Sequence, residues 1–183
     1  MALTESQPFQ IGTQAPEFSL FDTVSQKTLN LQQIKGAKAT VIMFICNHCP
    51  FVVHVNSKLV DLANSYKPEE VSFIAISSND VVKYPADAPE RMTQVAKKEQ
   101  YPFPYLYDET QEVAKAYNAA CTPDFYVFDA ELKCTYHGQL DGSRPGNEVA
   151  LTGNDLTNAI ASTLSQTPVS HQKPSIGCGI KWK

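Results

Sequence analysis

No stretch of this 183-residue chain approaches 18 consecutive apolar residues, so no segment reads as a membrane-spanning helix. Basic residues are not in excess either. With 15 Lys and Arg against 19 Asp and Glu, the formal net charge is −4, which gives no general attraction to nucleic-acid phosphates or anionic lipid. The opening MALTESQPFQIG lacks the basic start and apolar core of a signal peptide, and the chain is therefore expected to be cytoplasmic. Neither G-x-G-x-x-G nor G-x-x-x-x-G-K-[ST] occurs, and no nucleotide cofactor is expected. The five cysteines are odd in number and irregularly spaced, unlike the paired framework of a small secreted domain. Reduced, partly redox-active thiols are the expectation.

What the chain does contain is an alternation of strand and helix signals. TVIMFI (40–45) is a continuous β-branched and aromatic run, as in strands buried on both faces. Over 50–66, Val52, Val55, Leu59, Leu62 and Tyr66 recur at steps of three and four, while His54, Lys58, Asp61 and Ser65 fall opposite, which predicts an amphipathic helix. VSFIAIS (71–77) is a second buried strand, and strand, helix, strand makes a parallel βαβ unit. Short apolar groups around DTVSQK predict an earlier hairpin and helical turn. Further on come a helix near 89–99, the strand FPYLY, the helix TQEVAKAYN, the strands DFYVFD and LKCTYHG, and a last helix in NDLTNAIASTLS. The pattern predicts one α/β domain over 1–165, a sheet covered by helices on both faces, with 166–183 as a C-terminal tail.

The chemistry sits between the first buried strand and the helix, in CNHC (46–49). Proline fits best at the first helical position, so Pro50 makes Cys49 the N-cap. A sulfur there faces unpaired N–H groups and the positive end of the helix dipole, which favour thiolate over thiol. A protonated His48 pushes the same way. Cys49 is the expected nucleophile. Cys46, one tight turn earlier, is placed to attack a mixed disulfide or sulfenic acid on Cys49 as the resolving thiol. Zinc, the other use of C-x-x-C, normally needs a second ligand pair, and Cys121 and Cys134 do not form one; no metal is expected.

These residues resemble the thioredoxin-like superfamily, specifically its peroxiredoxin-like branch, the alkyl hydroperoxide reductase and thiol-specific antioxidant family. The likeness runs from about Ile11 to Leu164. IGTQAPEFSLFDTVSQKTLNLQQIKG is similar to that family's G-x-x-A-P-x-F-x-L opening and hairpin; AYNAACTPDFYVFDAELKCTYHGQLD is similar to its closing half. The resemblance implies a thioredoxin fold, a central mixed sheet flanked by helices with an N-terminal β-hairpin extension. It also implies a cis-proline loop beside the reactive sulfur, with Thr122, Pro123 and Pro50 docking the substrate. Counting from Phe44 in the thioredoxin register lands on Cys49, with Val52 in place of that family's second cysteine. In the peroxiredoxin pattern P-x-x-x-T-x-x-C, Ile42 and Cys46 occupy the proline and threonine slots, and the arginine slot falls near Pro123. Met43 replaces thioredoxin's buried strand aspartate, which leaves Asp80 and Asp124 as candidate proton acceptors.

The other cysteines keep two readings each. Cys121 is either a relay thiol near Cys49 or a packed one, and Cys178 either a second resolving thiol or an incidental residue of the tail. Cys134, alternating in a strand, is a core residue. Together these features predict a thiol oxidoreductase acting on a protein or small-molecule disulfide, regenerated by thioredoxin or a low-molecular-weight thiol. The alternatives are a peroxiredoxin-type enzyme reducing hydroperoxides through a Cys49 sulfenic acid, and a non-catalytic thioredoxin-like binding protein.

Overall fold

The computed structural model describes residues 3–183. After strand β1 (Leu3–Glu5) the chain enters a hairpin, β2 (Ser19–Asp22) and β3 (Lys27–Asn30), and a single helical turn, α1 (Leu31–Ile34). Asn30 closes a capping box there: its side chain accepts from the Gln33 N–H, and the Gln33 side chain accepts from the Asn30 N–H. Then follow β4 (Ala39–Phe44), α2 (Pro50–Tyr66) and β5 (Val71–Ser77), the βαβ unit expected from the apolar pattern. Helix α3 (Pro89–Lys98), β6 (Tyr105–Tyr107) and α4 (Glu112–Ala116) lead to β7 (Cys121–Thr122), β8 (Asp124–Asp129) and β9 (Cys134–Gly138). Helix α5 (Asn154–Leu164) and β10 (Ile176–Gly179) complete the chain.

Seven strands form one mixed sheet in the order β3-β2-β6-β5-β4-β8-β9. Strand β4 is central, parallel to β5 and antiparallel to β8, and all six of its residues are buried. Successive side chains of a strand point to opposite faces, and this splits the core in two. Val41, Met43 and Ile45 pack under Val52, Val55 and Leu59 of α2 and Leu156 and Ile160 of α5. Ile42 and Phe44 pack on the other face with Leu31, Ala114 and Tyr117. A mixed sheet covered on both faces is the thioredoxin fold that the sequence implies.

The segment 166–183 does not trail away from this body. Within it β10 lies antiparallel to both β1 and β7, making a second, three-stranded sheet in which Cys178 pairs with Thr122 and Gly179 with Cys121. Both ends of β10 are tied down. The Ser6 N–H donates to the Ser175 carbonyl at 2.9 Å, and Lys181 is held by Asn79 and Gln111. A Cβ built on Gly177 would stand 2.0 Å from the Thr122 carbonyl oxygen, so the strand approaches β7 this closely only because position 177 has no side chain.

Candidate active site

Strand β4 ends at Phe44, and the loop that follows delivers Cys46 and Cys49 to the N-terminus of α2. Cys49 is the N-cap with extended backbone (φ −70°, ψ 121°), and Pro50 follows at the start of the helix. Its carbonyl accepts the Val52 and Val53 N–H groups, both at 3.0 Å. The sulfur makes no aligned capping hydrogen bond; as a thiol it donates to the Thr122 carbonyl at 3.3 Å. Across from it the Thr122–Pro123 peptide is cis, and the Thr122 hydroxyl lies 3.5 Å from the Cys46 sulfur.

Cys49 is held far toward the thiolate, with its pKa lowered to about 5. The largest cause is the hydrogen bond from the Cys46 thiol, followed after opposing burial by the Cys178 thiol and then the Val52 N–H. The helix start contributes as expected through the Val52 N–H. Neighbouring thiols lower the pKa because a donor to the sulfur favours its charged form. Cys46 pays the complementary penalty: donating to Cys49, burial and the nearby charge of Asp87 all hold its pKa well above the ordinary thiol value. Burial, reinforced by its contact with Cys49, pushes Cys178 up to about 12. All three sulfurs are buried, and no disulfide joins any of the five cysteines.

His48 and a residue that the sequence reading missed complete the group. Asp87 lies in the loop just before α3, is fully buried, and accepts from the Asn47 N–H and the Asn79 side-chain amide, both at 2.8 Å. The His48 Nδ1 stands 2.7 Å from its Oδ2, and the ring stacks on Tyr84. Of the proposed proton acceptors, Asp80 is turned away into its own turn, accepting the Val82 and Lys83 N–H groups and pairing with the Lys83 ammonium at 3.1 Å. Asp124 points to the far side of the proline loop, where His137 Nε2 lies 3.0 Å from Oδ2 and the Tyr126 hydroxyl donates to it. Asp87 is the carboxylate beside Cys46. Nothing in its local sequence marks it, because the loop that carries it is brought to Cys46 only by the fold.

The remaining sequence-predicted residues fall into place around this centre. Cys121 is buried, with its thiol making only long contacts to the Pro123 and Ser175 carbonyls, and burial raises its pKa. Pro50 is exposed at the mouth of the helix. Pro123 lines a cleft with Phe51, Val55, Arg144 and Ile176. Cys134 is core, its pKa pushed up to about 12 by burial.

A low-pKa cysteine at a helix start, a second thiol donating to it and a threonine–proline loop opposite define the class: a thioredoxin-fold protein of thiol redox chemistry. The chain belongs to the AhpC/TSA family, whose sequence profile matches residues 11–137. A search of the curated proteins finds no match. Among solved structures, it is similar to an uncharacterized conserved protein from Geobacillus kaustophilus at 58% identity and a TM-score of 0.97, covering 100% of this chain and 97% of that one. A hypothetical protein from Sinorhizobium meliloti 1021 aligns at 42% identity and a TM-score of 0.95 over 98% of each chain. The thioredoxin domain of a thiol-disulfide oxidoreductase from Bacteroides vulgatus, at 17% identity and a TM-score of 0.66, covers 86% of this chain and 99% of its own, and shares the fold. Among the described residues no helix is long and apolar enough to cross a membrane.

Proposed function

We propose that this chain is a cytoplasmic thiol–disulfide oxidoreductase in which Cys49 attacks and Cys46 resolves. The observation that carries the reading is two thiols set opposite the Thr122–Pro123 loop at the start of α2, Cys46 3.5 Å from the Thr122 hydroxyl and Cys49 3.3 Å from the Thr122 carbonyl, with Cys49 lowered to about 5 and Cys46 raised. Such a pair keeps one sulfur ionised at neutral pH and the other in reserve as a protonated neighbour. In the first step the Cys49 thiolate attacks one sulfur of a substrate disulfide, forming a mixed disulfide and expelling the other sulfur as a thiolate. That step removes the negative charge beside Cys46, and with it one of the causes holding the Cys46 proton. The Asp87–His48 pair then takes the proton. The Cys46 thiolate attacks the Cys49 sulfur, releases the second substrate thiol and leaves a Cys46–Cys49 disulfide, which thioredoxin or a low-molecular-weight thiol reduces.

Thr122 and Pro123 position the substrate disulfide opposite Cys49. Since β10 covers the sulfurs, access requires β10 to part transiently from Thr122. The donor in the peroxiredoxin threonine slot is a thiol here, Cys46, and a dithiol suits exchange better than peroxide activation. Rapid mixing tests this directly. Reduced protein should turn over a model aromatic disulfide quickly and react with hydrogen peroxide no faster than a free thiol of similar pKa. Fast peroxide consumption with slow disulfide turnover would reverse the assignment to a peroxidase, and inertness toward both would leave a binding protein.

A further inference from the structure

Beside the reactive sulfur, three different metal-ligand types converge. One donor atom from each of Cys46, His48 and Asp87 lies within 4.8 Å of the other two. Cys46 and Asp87 are buried, and His48 keeps 25% of its side chain exposed. Accepting the Cys46 proton, the role proposed above for His48 and Asp87, does not by itself explain their unaligned contact. A carboxylate sealed from water is normally matched by aligned donors or an opposite charge. Asp87 has two neutral donors, from Asn47 and Asn79. Its third neighbour, His48 Nδ1, stands 2.7 Å away, yet that buried nitrogen has no hydrogen-bond partner. The two atoms are close without being aligned on each other, which leaves the Nδ1 lone pair or proton unmatched.

The surroundings carry the same features as a built metal site. Ligating carboxylates are themselves hydrogen-bonded, and ligating imidazoles are held in a fixed plane by an outer layer of residues. Asn79 and the Asn47 N–H orient Asp87 in this way, and Tyr84, its ring parallel to within 2°, orients His48. Sulfur, imidazole and carboxylate together suit a borderline-soft cation rather than magnesium or calcium.

We propose that the reduced protein binds one divalent cation of the zinc class through Cys46, His48 and Asp87. Bonds of about 2.0–2.3 Å to a tetrahedral ion would set the three donors roughly 3–4 Å from one another, which opens the 2.7 Å contact between His48 Nδ1 and Asp87 Oδ2. Cys46 and His48 flank Asn47, whose N–H and side chain tie their loop to Asp87 and Ala86, so side-chain rotations of Cys46 and His48 make the adjustment. The fourth position is taken by water or by the neighbouring Cys49 sulfur. Because Cys46 cannot be both a ligand and half of a disulfide, the ion leaves when the Cys46–Cys49 bond forms. The expectation of no metal rested on the lack of a second ligand pair near in sequence; the fold supplies Asp87 from another loop.

The test is an anaerobic titration of Co2+ into the reduced full-length chain, followed by competition with Zn2+. One equivalent should bind with a sulfur-to-cobalt charge-transfer band and the visible bands of four-coordinate cobalt, and Zn2+ should displace it. His48→Gln and Asp87→Asn should each weaken Co2+ binding by about tenfold or more, and prior oxidation with diamide should abolish it. Cys134→Ser should leave it unchanged. The proposal is overturned if no thiolate–cobalt band appears, if binding survives oxidation, or if His48→Gln binds as tightly as the unaltered chain. The last comparison holds even where Asp87→Asn fails to fold, since His48 is a partly exposed loop residue. Cys49→Ser separates the two proposals: it should stop disulfide exchange and still bind Co2+ through the three ligands.

Discussion

Among the described residues two histidine–aspartate pairs stand near a cysteine, His137–Asp124 and His48–Asp87, and they are built differently. In the His137–Asp124 pair, Nε2 lies 3.1 and 3.0 Å from the two carboxylate oxygens, the ring stacks on Tyr126 at 4.1 Å, Phe9 packs edge-on, and the Tyr126 hydroxyl donates to Asp124. Every polar atom of the carboxylate is engaged. The His48–Asp87 pair has a short, unaligned contact, a partly exposed ring, and a sulfur as its next neighbour. The cysteines differ in parallel. Cys121, near Asp124, is raised mainly by burial, whereas Cys46, near Asp87, is raised first by giving its hydrogen bond to Cys49. The same residue types thus make a closed structural knot in one place and a centre with spare bonding capacity in the other.

The sharpest way to break this contrast is to remove the sulfurs one at a time. Cys49→Ser should abolish disulfide turnover, whereas Cys121→Ser and Cys134→Ser should leave it within about twofold, since each swaps a packed thiol for a hydroxyl of similar size. Single-turnover kinetics on the three purified variants decides it. Loss of activity in Cys121→Ser would move the working centre to the far side of the loop.

The pairs themselves come next. Asp124→Ala strips His137 and Tyr126 of a shared buried acceptor and should lower unfolding stability by about 3 kcal/mol, read by urea denaturation, while the alkylation of Cys49 stays fast in the folded fraction. Asp87→Asn should do the reverse: a smaller change in stability, and a slower second step, seen as accumulation of the Cys49 mixed disulfide. Equal losses of stability with no accumulated intermediate would make both pairs structural.

A smaller effect is expected where the cover meets the centre. Gly177→Ala drives a methyl group toward the Thr122 carbonyl, 2.0 Å from the built Cβ, and overpacking of this kind costs about 1–3 kcal/mol. Backbone atoms cannot yield as a flexible side chain does, so β10 should lift from β7. Cys49 alkylation by a bulky reagent should then accelerate while that by a small one changes little. If neither rate changes, β10 is not the barrier to entry.

How much of this was visible in the residues depends on how local the cause is. The β4–α2–β5 unit declares itself through Val, Ile and Leu at strand and helix periods, and Pro50 marks the helix start next to Cys49. Pro123 is marked only by family resemblance, since nothing in TP alone distinguishes this proline from any other. Strands β1 and β10 carry no alternation to read: LTE and IGCG are too short, and β10 is half glycine; β10 pairs on the edge of β7 and β1 on β10. The glycines around Cys178 were the one available hint. Asp80 is a candidate from sequence because a strand end predicts proximity to the site, while the loop that carries Asp87 has no periodicity and offers nothing to read. At Cys49 the same limit applies: a capping rule sees the helix, and not the Cys178 thiol that the far end of the chain brings in.

The order of causes at Cys49 sets the last and subtlest prediction. With its pKa lowered to about 5, Cys49 in the folded chain is ionised above that pH, so its alkylation rate should rise through a midpoint near 5 and be level at neutrality. In Cys46→Ala the largest donor is gone, and burial, which favours the thiol, is opposed only by Cys178, the Val52 N–H and Thr122. The midpoint must therefore move up toward the ordinary thiol range of about 8.5, and the rate at pH 7 falls because less thiolate is present. Cys46→Ser keeps an O–H donor at the same place and should shift it less. A helix-terminus origin predicts something else, since Pro50 and the Val52 N–H are untouched by either substitution: the midpoint would then stay near 5 in both variants. The order of the three midpoints thus tells whether a thiol or a helix holds the charge on Cys49.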